Sequence, residues 1–506
     1  MTAAAPLRVG VASLAALLAL LPVGYVVVSA ITVGPATVAE LVWRPRVGEL
    51  LVNTTVLVVA TCSACVVLGT ATAWITERTD LPGAPVWGAL FAAPLAVPAF
   101  VNSYAWVSVL PGADGFVGAL VVTTMSYFPF VHLPVAAVLR GLDRDQEDVA
   151  RALGLSPRAA ARRVVLPALR PAIVGGALLV GLHLLAEFGA LALLRYPTFT
   201  TAIYDQFQST YAGPAAAMLA GVLVLLCLLL LTADLALAGR ARGARVGAGA
   251  ARRRARTPLG GATVPALAGV GLLVAAALGV PVVSVVRWMV TGSSTTVDWA
   301  ALATATATSV GLGLAAAAVT VALTFPVAWL AVRQPGAFSR ALERIAHLGN
   351  ALPGIVVALA LVIVAIRLVP GLYQTTPLLV TAYAILFMPL ALVNLRAALL
   401  RVPPELEEVA HGLGSRPGAV LARVTAPLLA RGAGAGAALV FLAVATELTA
   451  TLLLAPTGTA TLATEFWGPA AAVAYGAAAP YALTMILISI PAAFLLTRQV
   501  RAGAHP

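Results

Sequence analysis

Lysine is absent from this chain; all 31 basic residues are arginine. Charge of either sign is scarce, at 10% of 506 residues, against 61% hydrophobic residues and a mean hydropathy of +0.99. Soluble domains carry about 25% charged residues, so a soluble globular architecture is excluded. Cysteine is almost missing. Cys62, Cys65 and Cys227 all fall in apolar runs, which excludes a disulfide scaffold. The CxxC of Cys62 and Cys65 lies inside a predicted helix and reads as small packing residues, not a redox or metal pair. The phosphate-loop pattern G-x-x-x-x-G-K-[ST] is missing too, and no soluble stretch is large enough to hold a nucleotide domain. No catalytic residue, bound cofactor or resident metal is expected.

What is abundant is apolar length. A bilayer-spanning helix needs about 20 residues, and about twelve such runs are present: 8–32, 51–76, 86–110, 116–139, 171–194, 214–238, 263–289, 304–332, 350–369, 376–395, 433–455 and 475–497. The expected fold class is an all-α polytopic membrane protein. The first run follows MTAAAPLR, but no A-x-A-like site followed by a mature soluble domain appears, so it is expected to be a retained helix. If the loops alternate from an inside N-terminus, 26 arginines fall inside and five (Arg44, Arg46, Arg195, Arg287, Arg367) outside or at the outer edge. The positive-inside rule then predicts cytoplasmic termini. The net charge of +12 is accounted for by topology, with no nucleic-acid partner implied.

The chain is duplicated. Residues 147–180 and 407–440 align at an offset of 260, with 15 of 34 positions identical. Trp74 and Trp329 are separated by 255 residues, as are Pro98 and Pro353. Each half carries six spans in the same order, and an even number makes the repeats parallel. The expected division is a first half at 1–239, a cytoplasmic linker at 240–260 with seven arginines, and a second half at 261–506. The linker composition suits a flexible join, with an anionic-lipid contact as the alternative.

The most similar part of the two halves is the loop after the fourth span. In the first copy Glu147–Leu153 is a helical run and Gly154 stands where a left-handed C-terminal cap is expected. Ser156 is a predicted N-cap and Pro157 a first helical residue. The second helix is expected to run through 159–165 and to stop at Leu166-Pro167. Glu407, Glu408, Gly414, Pro417 and Pro427 repeat the arrangement. A short helix held by a tight turn is a rigid lever, and acidic residues at its start suit both the helix dipole and a basic partner surface.

Asp148-Val149-Ala150, Gly154, Val164 and Leu166-Pro167 follow the spacing E-A-A-x-x-x-G-x9-I-x-L-P; Glu408-Val409-Ala410, Gly414, Val424 and Ala426-Pro427 repeat it. In this the chain resembles permease subunits of ATP-binding-cassette importers of the binding-protein-dependent kind. The departures are Asp for Glu, Val for Ala and Ile, and Ala426 for Leu. The resemblance implies that Glu147, Asp148, Ala150, Gly154, Leu166 and Pro167, with Glu407, Glu408, Ala410, Gly414 and Pro427, form two loops that dock on ATPase subunits. Two loops on one chain imply two ATPase copies, and an importer implies a separate extracytoplasmic binding protein. Segments 95–107, 187–207 and 447–467 further resemble fused, two-half ferric-iron permeases, with thiamine, polyamine and phosphonate permeases as relatives. A gradient-driven transporter of two six-span halves would explain the duplication but not the matched loops.

Glu187 and Glu447 are repeat partners inside apolar runs. They lie about 25 and 24 Å along a helix from Arg170 and Arg431, at 1.5 Å per residue. An intramembrane carboxylate marks a functional site by default. Two readings stay open: each lines or gates a pathway for a cationic cargo, or each bonds a helix end or hydroxyl. His183, one turn below Glu187, is a possible partner for it. Pro98 and Pro353 are expected to break the third span of each half. That places Asn102, Ser103, Tyr104 and Trp106, and Gly354, beside exposed backbone carbonyls as further pathway candidates.

Overall fold

The computed structural model describes residues 4–142, 145–208, 213–239, 256–292 and 297–502. Among them there is no strand; a lone bridge joins Thr79 to Thr257. Helices dominate for a physical reason: hydrocarbon offers no partner for a peptide group, so each span must satisfy its backbone internally. Among the described residues nine helices are long and apolar enough to cross a membrane, including Pro45–Arg78, Trp299–Arg333 and Thr376–Leu399. Two bent helix pairs pass the same test together, Ala84–Ala96 with Ala99–Val109 (94°) and Ala337–Gly349 with Gly354–Leu368 (104°). With the shorter apolar helix Tyr475–Pro491, these occupy the twelve positions read from the sequence. The bends fall at Pro98 and Pro353, whose rings cannot donate a helical hydrogen bond.

The described chain forms two compact units. One comprises Met1–Val47, Phe199–Val224 and Thr296–Ala472. Its centre is Thr376–Leu399, which packs on Trp299–Arg333 and on Ala426–Ala445. The opening helix Ala4–Val33 lies on Trp299–Arg333 and Gly354–Leu368 in this unit. The other comprises Gly48–Thr198, Leu225–Thr295 and Val473–Pro506. There Leu166–Ala186 packs on Pro129–Gly141, and Val280–Thr291 packs on Ala99–Val109 and Tyr475–Ala502. The compact units are therefore cut differently from the sequence repeat, because the first span of each half is lodged among spans of the other half.

Small residues permit the close helix contacts, as in membrane bundles generally. A Cβ on Gly176 would lie 2.8 Å from the Phe130 carbonyl oxygen, and one on Gly69 would lie 2.6 Å from Val131 Cβ. Cys62 and Cys65 belong to this packing: their thiols point at the carbonyls of Ala177 (3.3 Å) and Thr124 (3.8 Å).

Candidate functional site

The two repeated loops fold alike. Asp145–Ala152 ends at Gly154, whose φ of +89° only glycine adopts without strain. Leu155 N–H closes the turn on Ala150 O at 3.1 Å and Gly154 N–H on Arg151 O at 3.0 Å, the double bond pattern of a Schellman cap. In the second copy Pro404–Gly412 ends at Gly414 (φ +79°), and Ser415 N–H reaches Ala410 O at 3.0 Å. Ser156 is the expected N-cap, accepting from Ala159 N–H at 3.3 Å.

The second loop helix does not stop at Leu166-Pro167. Pro157–Ala160 runs into one π-helical turn, Ala161–Val165, and then into the span Leu166–Ala186. Leu166 N–H reaches back five residues to Ala161 O, and Ala426 N–H likewise to Leu421 O. The wider turn leaves room for the prolines at 167 and 427, which lack an N–H and would clash with the preceding turn of a regular helix. Each loop is thus continuous with the fifth span of its half. Pro157–Ala186 forms one rod of 30 residues, about 45 Å long.

Two arginines not singled out from sequence fix these loops. Arg78 Nη1 donates to Glu147 Oε2 at 2.8 Å, and Arg333 Nη2 to Glu407 Oε1 at 3.1 Å. Arg78 and Arg333 are themselves 255 residues apart, the spacing of Trp74 and Trp329, so the repeat carried the signal. Thr425 Oγ1 adds a 3.2 Å bond to Glu407. Asp148 is half-buried and Glu408 exposed; Leu166, Pro167 and Pro427 are exposed. The loop tips present matched apolar side chains: Val149 and Val409, and Leu153 and Leu413, the last two 80% and 82% exposed.

Where each rod ends stands one of the two glutamates. Leu166–Ala186 stops at Glu187, and the short helix Gly189–Leu193 follows. Ala426–Ala445 stops just before Glu447, and Thr449–Leu454 follows. Each carboxylate accepts hydrogen bonds at the start of the short helix: Glu187 Oε1 from Ala190 N–H (2.9 Å), Glu447 Oε1 from Ala450 N–H (2.9 Å) and Oε2 from Thr451 N–H (3.1 Å). Free N–H groups and the dipole at a helix start favour such an anion. The hydroxyl partners differ. Tyr127 donates to Glu187 Oε2 at 2.5 Å, whereas Glu447 Oε2 takes the Thr451 hydroxyl (3.0 Å), which is itself bonded to Tyr383 (2.7 Å).

The broken third span meets this break in each half. Gly354, first residue after Pro353, lies so close that a Cβ there would be 3.1 Å from Glu447 Oε1. The helix Ala99–Val109 after Pro98 packs on Gly189–Leu193. Asn102 is buried and donates to Ser126 Oγ at 2.8 Å; Tyr104 is buried and its hydroxyl donates to Tyr475 O at 2.7 Å. Ser103 bonds Phe100 O within its own helix. His183 is not a partner of Glu187: its Nδ1–H bonds Leu179 O at 2.9 Å, and its ring packs on Phe130 at 4.3 Å. The orientation of its helix turns the imidazole toward that aromatic instead. Among the described residues no three His, Cys, Asp or Glu side chains gather as a metal site requires.

Each loop is thus joined through one rod to a carboxylate-capped break, and known proteins similar to this chain are transport permeases. It is 35% identical over 481 residues, 94% of this chain and 95% of the relative, to an Fe(3+)-transport system permease protein of Haemophilus influenzae. It is 31% identical over 187 residues to a sulfate transport system permease protein of Salmonella typhimurium, covering 33% of this chain and 67% of that one. A probable molybdenum ABC transporter permease protein of Haloferax volcanii is 28% identical over 221 residues, covering 40% of this chain and 81% of the relative. The model of the binding-protein-dependent transport system inner membrane component matches once in each half, at residues 85–243 and 324–502, and the chain belongs to that family.

Proposed function

We propose that this chain is the two-half permease of an ATP-driven importer for ferric iron. The carrying observation is the continuity of each repeated loop with a span that ends at a buried glutamate. A displacement of the loop moves the span as a rod. It therefore acts on the junction where the glutamate holds the next short helix against the broken third span. Two loops call for two copies of a cytoplasmic ATPase, which supply the ATP chemistry that this chain lacks. The apolar tips at Val149, Leu153, Val409 and Leu413 suit insertion into a partner cleft. A binding protein on the opposite face delivers the cargo, and both termini are cytoplasmic. Residues 1–239 and 261–506 are the two repeats, joined by the arginine-rich 240–260, of which 240–255 lie outside the described residues.

Ferric iron is favoured because the iron permease of Haemophilus influenzae matches nearly the whole chain, whereas the sulfate and molybdenum relatives match 33% and 40% of it. Glu187 and Glu447 serve as gates at the helix junctions. Their oxygens already accept bonds from the protein, which suits release of cargo over tight coordination. The test is uptake of ⁵⁵Fe(III) by proteoliposomes holding the permease, its ATPase and the binding protein. ATP-dependent uptake that stops on removing the ATPase is expected. Uptake driven by a proton or sodium gradient without the ATPase would overturn the reading.

A further inference from the structure

A cavity of about 400 Å³ opens beside the second repeated loop. This lies within the range of about 300–1,000 Å³ common for small-molecule sites. Trp329, Val420 and Leu421 give it apolar walls, and Arg8, Glu407 and His411 give it polar ones. We propose that it binds a phosphate-bearing anion, which ties the opening helix Ala4–Val33 to the loop.

The charge balance points to an anion. The Arg8 guanidinium stacks on the Trp329 ring at 4.2 Å and has no acidic partner among the described residues. Glu407, the one carboxylate in the lining, is already offset by Arg333 at 3.1 Å and accepts the Thr425 hydroxyl. His411 lies exposed in the lining, with its Nδ1–H facing Ser415 O at 3.3 Å. One uncompensated cation therefore remains, held flat by an aromatic ring, and a guanidinium suits a phosphate with two parallel N–H donors.

At the first loop the chain's own backbone occupies the end of the second span: Thr257 N–H bonds Arg78 O at 2.9 Å, and Leu259 N–H bonds Asp80 Oδ1 at 2.8 Å. Among the described residues no such strap bonds Arg333, and the cavity lies beside the second loop. Arg8 stands near the start of one apolar span and Trp329 near the end of another, the depth at which lipid headgroups lie. A lipid headgroup and a soluble phosphate are the two sources of this chemistry. The consequence for transport rests on the coupling reading of the loop; the binding itself does not.

The full chain in nanodiscs tests it, by two measurements that need no ATPase. Native mass spectrometry counts phosphatidylglycerol retained from mixed phosphatidylglycerol–phosphatidylcholine discs. ³¹P line broadening follows inorganic phosphate added to pure phosphatidylcholine discs. Arg8→Gln should weaken the bound species about tenfold, the scale of one charge-assisted contact, and exposed His411→Gln should act in the same direction. Arg340→Gln, which removes the same charge outside the cavity, should have no effect. Loss of retained lipid assigns the site to a headgroup, and loss of phosphate broadening to a soluble anion. Failure of both probes to bind the wild type, or equal effects of Arg8→Gln and Arg340→Gln, overturns the proposal.

Discussion

Arg78 is 5% exposed and donates to Glu147 at 2.8 Å, which ties the start of the first loop to the end of the second span. Glu147→Ala strands a buried guanidinium. Breaking such a pair costs about 3–5 kcal/mol when fully buried; Glu147 is 20% exposed, so about 2–3 kcal/mol is expected. Replacing both partners, as Arg78→Met with Glu147→Leu, should recover most of it. Thermal unfolding of the purified chain measures both, and an unchanged melting temperature in Glu147→Ala would show that the pair anchors nothing.

Leu153 and Leu413 should behave in the opposite way. They are 80% and 82% exposed, so Leu153→Asp and Leu413→Asp should leave the melting temperature of the permease alone unchanged. Burying a leucine in a partner cleft contributes about 1.5–3 kcal/mol, so each variant should weaken ATPase association at least tenfold and the double variant should abolish co-purification. Retention of the ATPase by the double variant would exclude the tips as the docking surface.

These contrasts show which features were legible in the sequence. Gly154, Gly414, Pro98 and Pro353 act through their own backbones, and their turns and breaks stand where local chemistry predicts them. Pro167 misled, because a proline usually ends a helix. The π turn before it, completed by the Leu166 bond to Ala161, lets the rod continue. The end of that rod at Glu187 was not legible either. No proline or glycine stands in the turn before it, and besides the local Ala190 N–H its carboxylate bonds Tyr127, which is 60 residues away. The same holds for Arg78 and Glu147, 69 residues apart. The repeat offsets, 255 for Arg78 and Arg333 and 260 for Glu147 and Glu407, mark the residues as equivalent in the two halves but do not by themselves pair them.

Gly154→Pro tests the turn. Proline fixes φ near −65°, and the native value is +89°, so the cap must unwind. Alanine is a milder probe, costing about 1–2 kcal/mol in the left-handed region. Uptake should fall modestly in Gly154→Ala and steeply in Gly154→Pro, with the same ranking at Gly414. Undiminished uptake in both proline variants would rule out a rigid lever.

The two glutamates should respond unequally to glutamine. An amide keeps one acceptor oxygen and turns the other position into a donor. At Glu187 the bond from Ala190 N–H can go to that oxygen, and the Tyr127 hydroxyl can rotate to accept from the new NH₂. At Glu447 both oxygens accept from backbone N–H groups, of Ala450 and of Thr451, and an N–H cannot become an acceptor. One donor there faces another donor, at a cost of about 1–3 kcal/mol. Glu447→Gln should therefore lower the melting temperature clearly more than Glu187→Gln, while both reduce uptake and leave ATPase binding intact. Gly354→Ala presses a methyl group within about 3 Å of the Glu447 carboxylate and should impair uptake in the same way without removing a charge. Normal uptake in Glu187→Gln, Glu447→Gln and their double variant would remove the gating role from these residues and leave them as caps alone.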